Sequence, residues 1–345
     1  MQKLTKPARL NPGDKIATVS LSWGGAGDEE VRWRYDQGKQ RIQEIFDLEV
    51  VEMPNTLAGS KYLYEHPEAR AADLMDAFAE PDIKAIITNI GGDDTIRLLP
   101  YIDFDTIRNN PKVFLGYSDT TVNHFMCYKA GVSSIYGPAV LSDFAENVEM
   151  PEFTQHWLRR TLFDDKPIGQ IPTAPIWCSQ WQEWAGGDPD VARDFQPNTG
   201  LDLVQGAGVI EGQLIGGCIE VVDWLRGTEL FPPIDEFNDS ILFFETSQEM
   251  PAPANMMAML RNLATIGVLQ RANGMIIGKP YNNAYYDEYQ YEIAKVLAEC
   301  GRQDMPVLYN LSFGHCEPKF CVPYGAQAQI DCDAKTFSIL ESAVA

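Results

Sequence analysis

Ser118 stands where a short apolar run, KVFLGY, gives way to the helix-like stretch DTTVNHFMCYKAG. The surrounding G-Y-S-D-T differs from the nucleophile-elbow pattern G-x-S-x-G only at Thr120. An elbow presents its hydroxyl at a helix N-terminus, where the N–H of the next residue, Asp119, can stabilise a developing oxyanion. A Ser-Asp helix cap is the competing interpretation, and it is a common use of this pair. The pattern therefore makes Ser118 a candidate nucleophile and leaves the cap open.

A serine hydroxyl is a poor nucleophile at neutral pH and needs a base, for which histidine has a suitable pKa. The chain contains four histidines. His66 precedes a proline in a predicted loop, and His156 lies beside a tryptophan in a helical stretch. His124 falls six residues after the serine, off the helix face that faces an elbow. His315 follows a strand and a glycine, so it is the candidate base by elimination.

A carboxylate is needed to orient such a histidine. Glu245 closes the apolar strand SILFFET, where an unpaired charge would be costly. Glu220, in GGCIEVVDWLRG, lies on a predicted amphipathic helix and is the alternative. The residues alone leave both carboxylates open.

The elements that must position these side chains alternate along the chain. From residue 14 to about 165, short apolar runs and helical periods follow one another, which predicts βαβ units and a parallel sheet. Ligands bind at the carboxyl ends of such strands. The turn NIGGDDT follows one of these strands, and its Gly91 and Gly92 allow backbone N–H groups to approach a ligand closely. An ordinary strand-to-helix turn is the other interpretation.

Three regions follow from this organisation. Residues 1–168 are predicted to form an N-terminal α/β domain that carries the serine, and residues 206–345 a C-terminal domain that carries Glu and His. Residues 169–205 interrupt the alternation of strand and helix patterns and contain several Pro and Gly residues and three of the seven tryptophans. This composition predicts a linker or lid.

Composition excludes several classes of function. A net charge of −22 disfavours electrostatic binding to nucleic acid or to an anionic membrane. The N-terminus lacks the pattern of a signal peptide, so a cytoplasmic location is expected. Seven dispersed cysteines predict reduced thiols. The sequence has no complete zinc-ligand pattern and no complete phosphate-binding loop, so we expect neither a metal nor a cofactor.

Several segments together resemble the LD-carboxypeptidase family of serine peptidases, in the branch similar to the microcin C self-immunity protein. They are NIGGDDTIRLLPYIDFDTI, PKVFLGYSDTT, SSIYGPA, LIGGCIEVVDWLRGTELFPP, ILFFET and FGHCEPKFCVPYG. The resemblance implies a hydrolase with Ser118 as nucleophile, His315 as general base and acid, and Glu245 orienting the histidine. It selects Glu245 over Glu220.

The resemblance also implies an oxyanion hole formed by the backbone N–H of Asp119 and the Gly91–Gly92 turn. It implies an α/β fold, in which an N-terminal flavodoxin-like domain with a parallel sheet precedes a smaller C-terminal domain, with the active site in the cleft between them. Members of the family act without a metal and are usually homodimers. We expect the same of this chain.

Two substrate classes follow from the resemblance. The immunity branch cuts the amide between an aminoacyl group and a nucleotide-like moiety, and the cell-wall branch removes terminal D-alanine from murein tetrapeptides. Trp181 and Trp184 can stack on a purine, worth ~1–3 kcal/mol per base, or can merely anchor the lid. Arg193 is the one cation nearby in the sequence. An immunity-type amidase acting on a small aminoacyl nucleotide is therefore predicted, with the murein carboxypeptidase as the alternative.

A hypothesis from another class is a non-catalytic protein whose two α/β domains close on a ligand, with Ser118 only a cap. A glutamine amidotransferase-like enzyme would need a cysteine at the elbow, and this chain has serine there.

Overall fold

The computed structural model describes residues 2–345. The chain divides into two compact units. The N-terminal unit comprises residues 4–165, 180–194 and 343–345, and the C-terminal unit comprises residues 2–3, 166–179 and 195–342. The segment 169–205, which the sequence predicts to be one linker, therefore belongs to both units. Its central part, 180–194, packs with the N-terminal unit, and its flanks pack with the C-terminal unit.

The N-terminal unit is built on a parallel sheet. Its strands are β1 Lys15–Val19, β2 Glu49–Glu52, β3 Ile83–Thr88, β4 Val113–Gly116 and β5 Ile135–Tyr136. They are ordered β2-β1-β3-β4-β5, and each neighbouring pair is parallel. This is the flavodoxin-like order, in which ligands bind near the carboxyl ends of β1 and β3. The predicted parallel α/β fold is confirmed.

Helices connect these strands. They are α1 Arg32–Phe46, α2 Ser60–Glu65, α3 Pro67–Ala79, α4 Phe104–Asn109, α5 Thr121–Ala130 and α6 Glu152–Leu162. Shorter helical turns cover Gly25–Gly27, Thr95–Tyr101, Ser118–Thr120 and Val140–Phe144. Helix α3 begins at a proline, which needs no hydrogen-bond acceptor in the first turn, and its Leu74 and Phe78 are buried. Residues spaced in this way give the helical period seen in the sequence.

The C-terminal unit contains a larger, mixed sheet. The strands in this part of the chain are β6 Gly169–Ile171, β7 Ile176–Trp177, β8 Gln196–Pro197, β9 Asp202–Gln205, β10 Val209–Cys218, β11 Ser240–Glu245, β12 Gly274–Gly278, β13 Val307–Leu311, β14 Val322–Pro323, β15 Gln327–Asp331 and β16 Thr336–Ile339. Eight of them form one sheet, ordered β6-β16-β15-β10-β11-β12-β13-β9. Its centre, β10 to β13, is parallel, and every residue of β11, β12 and β13 is buried. Strands covered on both faces are largely apolar, and here Glu245 at the end of β11 and Asn310 in β13 are buried polar exceptions.

Three helices complete this unit: α7 Ile219–Leu225, α8 Pro253–Thr265 and α9 Tyr286–Glu299. All seven cysteines are free thiols, and only Cys300 among them is partly exposed. Within residues 2–345, no helix combines the length and the apolar character needed to cross a membrane.

Candidate active site

Ser118 has the backbone of a strained strand-to-helix turn. It lies between β4 and α5 with φ +66°, a left-handed conformation that is uncommon for a residue with a Cβ. Its N–H donates to Tyr136 Oη (3.0 Å), and its carbonyl accepts from Thr121 Oγ1 (2.7 Å). The cap position belongs to Tyr117, whose backbone is extended. The backbone of Ser118 thus resembles an elbow more closely than the extended backbone of a capping serine.

The Gly91–Gly92 turn lies directly against this elbow. A Cβ on Gly91 would lie 3.0 Å from Ser118 Oγ and 3.2 Å from the amide nitrogen of Asp119. A Cβ on Gly92 would lie 2.3 Å from Ser22 Oγ. Only glycine permits so close an approach. The turn, the serine hydroxyl and the amide of Asp119 therefore converge on one place at the carboxyl edge of the sheet.

The Asp119 side chain is buried beneath this turn, with 1% of its surface exposed. Its Oδ2 accepts from Ser22 Oγ (2.7 Å) and from the Thr95 N–H (2.9 Å). Burial, helped by the charges of Asp94 and Asp93, raises the pKa of this carboxyl to about 6 against the two hydrogen bonds, which lower it. A charged acceptor thus lies next to the candidate nucleophile in the sequence and in space.

In the C-terminal unit, His315 is held by a carboxylate. Its Nδ1 lies 2.6 Å from Glu245 Oε2, and the two side chains are 6% and 0% exposed. Glu245 ends β11 and packs against two glycines: a Cβ on Gly314 would lie 2.6 Å from Glu245 Oε2, and one on Gly278 would lie 2.8 Å from Glu245 Cβ. With the proton on Nδ1, the imidazole donates to Glu245 and leaves Nε2 to accept a proton.

Glu220, the alternative carboxylate, has other partners. Its Oε1 accepts from the Ser247 N–H (3.0 Å) and hydroxyl (2.7 Å), and its Oε2 accepts from Cys218 Sγ (3.4 Å). Burial, together with the charges of Glu245 and Glu220, raises the pKa of the Cys218 thiol. Glu245 is therefore the carboxylate that contacts His315, whereas Glu220 accepts hydrogen bonds from Ser247.

The other histidines make structural contacts. His124 is fully buried between Ser134 Oγ and the Gly116 carbonyl, each 2.9 Å from a ring nitrogen, and burial lowers its pKa to about 3. His66 pairs with Glu68 on the surface (2.7 Å), and His156 packs edge-on against a tryptophan. The carboxylate partner of His66 is exposed, whereas that of His315 is buried. Ser118 belongs to the N-terminal unit, and the His–Glu pair belongs to the C-terminal unit.

The two tryptophans singled out in the sequence have different surroundings. The Trp184 carbonyl accepts from Trp33 Nε1 (2.9 Å), and its ring lies 4.9 Å from the Arg34 guanidinium. Its ring centroid is also 6.1 Å from that of Trp23. Trp181 stacks on Trp184 at 5.2 Å and remains 60% exposed. Trp184 thus anchors the segment, and Trp181 presents an aromatic face to solvent.

The segment 180–194 is docked on the N-terminal unit. Arg193 and Glu146 form an ion pair, 11% and 2% exposed, with Nε 3.0 Å from Oε1. Asn147 Nδ2 donates to the carbonyls of Asp188 and Val191, both at 2.9 Å. Arg193, the one cation near these tryptophans in the sequence, is therefore already paired with a carboxylate.

Sequence reasoning missed the residues that shape the elbow. Tyr136 ends β5 as Ser118 follows β4, so the strand-end pattern was a usable signal for it. Ser22 follows β1, but its contact with Asp119 joins residues 97 apart, which no local pattern reveals. Among residues 2–345, no three His, Cys, Asp or Glu side chains cluster as a metal site requires.

Comparisons with known proteins agree with this architecture. The family model of the LD-carboxypeptidase N-terminal domain matches residues 16–137, and that of the C-terminal domain matches residues 211–330. The microcin C7 self-immunity protein MccF of Escherichia coli is 30% identical over 79% of this chain and 78% of its own length. A probable murein peptide carboxypeptidase of Bacillus subtilis is 28% identical over 98% of this chain and 95% of its own.

Solved structures are similar over nearly the whole chain. An MccF-like protein from Streptococcus pneumoniae in complex with AMP has a TM-score of 0.85 and 33% identity, covering 95% of this chain and 98% of its own. MccF in complex with aspartyl sulfamoyl adenosine has a TM-score of 0.85 and 25% identity, covering 99% and 100%. Both halves of the family's sequence model and the complete fold are thus present, and this chain belongs to the LD-carboxypeptidase family of peptidases.

Proposed function

We propose that this protein is a serine amidase that cleaves the amide bond between an aminoacyl group and a nucleotide-like moiety. The observation that carries the serine mechanism is the left-handed backbone of Ser118, with Gly91 packed against its hydroxyl. Such strain persists only where surrounding structure enforces it, and it is concentrated at functional sites.

In this mechanism the His315 Nε2 takes the Ser118 hydroxyl proton as Oγ attacks the amide carbonyl carbon. The carbonyl oxygen becomes an oxyanion, which accepts hydrogen bonds from the N–H groups of Asp119 and the Gly91–Gly92 turn. The imidazolium, stabilised by Glu245, then protonates the leaving nitrogen, and the C–N bond breaks. Water attacks the resulting ester with the histidine again as base, which regenerates the serine.

The aminoacyl-nucleotide class is supported by the exposed ring of Trp181, stacked on Trp184. An aromatic face of this kind suits a purine. Related structures hold AMP or aspartyl sulfamoyl adenosine. Murein peptide hydrolysis is the second candidate, because Arg193, the one cation in the segment 180–194, is paired with Glu146.

The experiment offers the purified protein an aminoacyl sulfamoyl adenosine and a murein tetrapeptide side by side, with products read by mass spectrometry. We expect cleavage of the first. Cleavage of the tetrapeptide alone would support the second candidate.

A fluorophosphonate probe tests the serine separately. We expect labelling at Ser118, and loss of both labelling and turnover in Ser118→Ala with the fold retained. Ligand binding without labelling or turnover would instead support the non-catalytic binding protein. Glu245→Gln should slow turnover less than Ser118→Ala does, because the carboxylate orients the histidine and transfers no proton. The matched Glu220→Gln variant should keep the wild-type rate; the reverse ranking of the two glutamates would refute this assignment.

Assembly as a homodimer in the cytoplasm is part of the same proposal. Sedimentation at micromolar concentration tests the dimer, and fractionation of the source cells tests the location.

A further inference from the structure

The two parts of the proposed oxyanion site come from different loops. One N–H belongs to Asp119, after β4, and the others belong to the Gly91–Gly92 turn, after β3. Donors must keep their spacing during the reaction, because preorganised dipoles stabilise an oxyanion without rearranging. Contacts between the loops must therefore hold them in register.

The Asp119 carboxylate joins these loops on both sides of the turn. Thr95, whose N–H donates to Oδ2 at 2.9 Å, begins the helical turn that follows Gly92. Ser22, whose hydroxyl donates to the same oxygen at 2.7 Å, packs against the Cα of Gly92. The Asp119 carboxylate thus holds the Gly91–Gly92 turn through two groups. Thr95 follows the turn in the sequence, and Ser22 packs beside it.

Ser22 is itself fixed by a buried arginine. Arg70, with no exposed surface, donates to the carbonyls of Leu21 (3.0 Å) and Ser22 (3.2 Å). The same guanidinium makes a bidentate contact with Asp94, at 2.6 and 3.1 Å. The segment after β1 therefore cannot move away from the turn without losing its hydrogen bonds from Arg70 or separating Arg70 from Asp94.

We propose that the Asp119 side chain is a positioning residue that, with Ser22 and Thr95, holds the Gly91–Gly92 turn in register with the Asp119 amide. This role rests on the proposed function of Ser118 as nucleophile. The carboxylate touches no reacting atom and acts through the two loops.

The positioning depends on pH. Asp119 faces the acidic groups Asp93 and Asp94, and Asp94 is paired with Arg70 and Arg97. Because burial raises its pKa to about 6, Asp119 is ionised above that pH and becomes protonated as the pH falls through it. Protonation weakens the acceptor that both donors share. Turnover should therefore fall as Asp119 becomes protonated.

The test compares Asp119→Ala and Asp119→Asn with the control Asp73→Asn. Asp73 is also buried and has a raised pKa, but its hydrogen-bond donor is Asn55, which lies outside the Ser118 elbow. Asp119→Ala should lower kcat on the order of 10- to 100-fold with little change in KM, since a misplaced donor mainly affects the transition state.

Asp119→Asn, whose neutral amide resembles the protonated carboxyl, should be slower than wild type at pH 8 but faster than Asp119→Ala, because its oxygen still accepts a hydrogen bond. Its kcat/KM should approach the wild-type value as the pH falls below about 6, where Asp119 of the wild type is itself neutral. The control Asp73→Asn should keep the wild-type pH profile. The proposal fails if Asp119→Ala retains kcat within about twofold, or if the ratio of the wild-type to the Asp119→Asn rate is the same at every pH.

A measurement without turnover separates this inference from the proposed function. In the Ser118→Ala protein, the amide nitrogen-15 resonance of Thr95 should titrate with a midpoint near pH 6, and the added Asp119→Asn change should abolish that titration. A flat Thr95 resonance would overturn the positioning role. Failure of the fluorophosphonate to label Ser118 would refute the nucleophile and leave the titration result intact.

Discussion

Gly314 offers a test of the His–Glu pair that alters neither side chain. It precedes His315 with φ +95°, and a Cβ there would lie 2.6 Å from both Cγ and Oε2 of Glu245. Gly314→Ala should therefore push the carboxylate away from the imidazole. Gly169→Ala is the matched control, because Gly169 has φ +89° and nothing within 4 Å of an added Cβ.

Both variants place an alanine on a left-handed backbone, but only Gly314→Ala also overpacks the buried Glu245. A left-handed backbone costs a residue with a Cβ about 1–2 kcal/mol, so Gly169→Ala should lose about that much stability. Gly314→Ala adds overpacking of about 1–3 kcal/mol, because Glu245 is fully buried at the end of a central strand and has little space to move. Its total loss of unfolding free energy should be about 2–5 kcal/mol.

Gly314→Ala and Gly169→Ala should differ more in activity than in stability. An orienting carboxylate is worth up to about 10⁴ in kcat in a serine triad, so we expect Gly314→Ala to slow fluorophosphonate labelling and turnover on the order of 10²- to 10³-fold. The low-field proton resonance of the His315 Nδ1–H should also disappear. Gly169→Ala should stay within about twofold of wild type in both rates. A folded Gly314→Ala protein that labels at the wild-type rate would refute the reasoning that the His315–Glu245 contact matters for reactivity.

Three further predictions concern the N-terminal unit. Gly91→Ala should abolish turnover and lower the unfolding free energy by about 1–3 kcal/mol, because its methyl group would lie 2.8 Å from Ser118 Cβ and 3.0 Å from its Oγ; cleavage at more than a tenth of the wild-type rate would contradict the close approach. Trp181→Ala should raise KM for an aminoacyl sulfamoyl adenosine about 5- to 150-fold, whereas the similarly exposed Trp224→Ala should not; equal effects would exclude stacking. Arg193→Met should break the buried pair with Glu146, which costs about 3–5 kcal/mol, and so speed chymotryptic cleavage within 180–194; an unchanged cleavage rate would show that other contacts hold the segment.

Much of the fold was predictable because its signals are local. The apolar runs before Ser118 and around 83–90 became β4 and β3, and the helical period of residues 67–80 became α3. Strand β10 was missed because its glycines interrupt the apolar pattern that marks a strand. The lid expected over 169–205 is divided between the two units, since its docking depends on contacts with residues distant in the sequence.

For the site, the amino-acid sequence by itself determined that Ser118, Glu245 and His315 each follow or close a strand, because residue type and hydrophobic pattern are properties of neighbouring positions. It left Glu220 and Glu245 equal, and only a family resemblance separated them. Tertiary structure alone decided which carboxylate reaches the imidazole, since that depends on how β11 packs against the glycine before His315. It also decided the surroundings of Asp119, where burial from several elements changes the pKa of a side chain that looks like an ordinary helix-capping aspartate in the sequence.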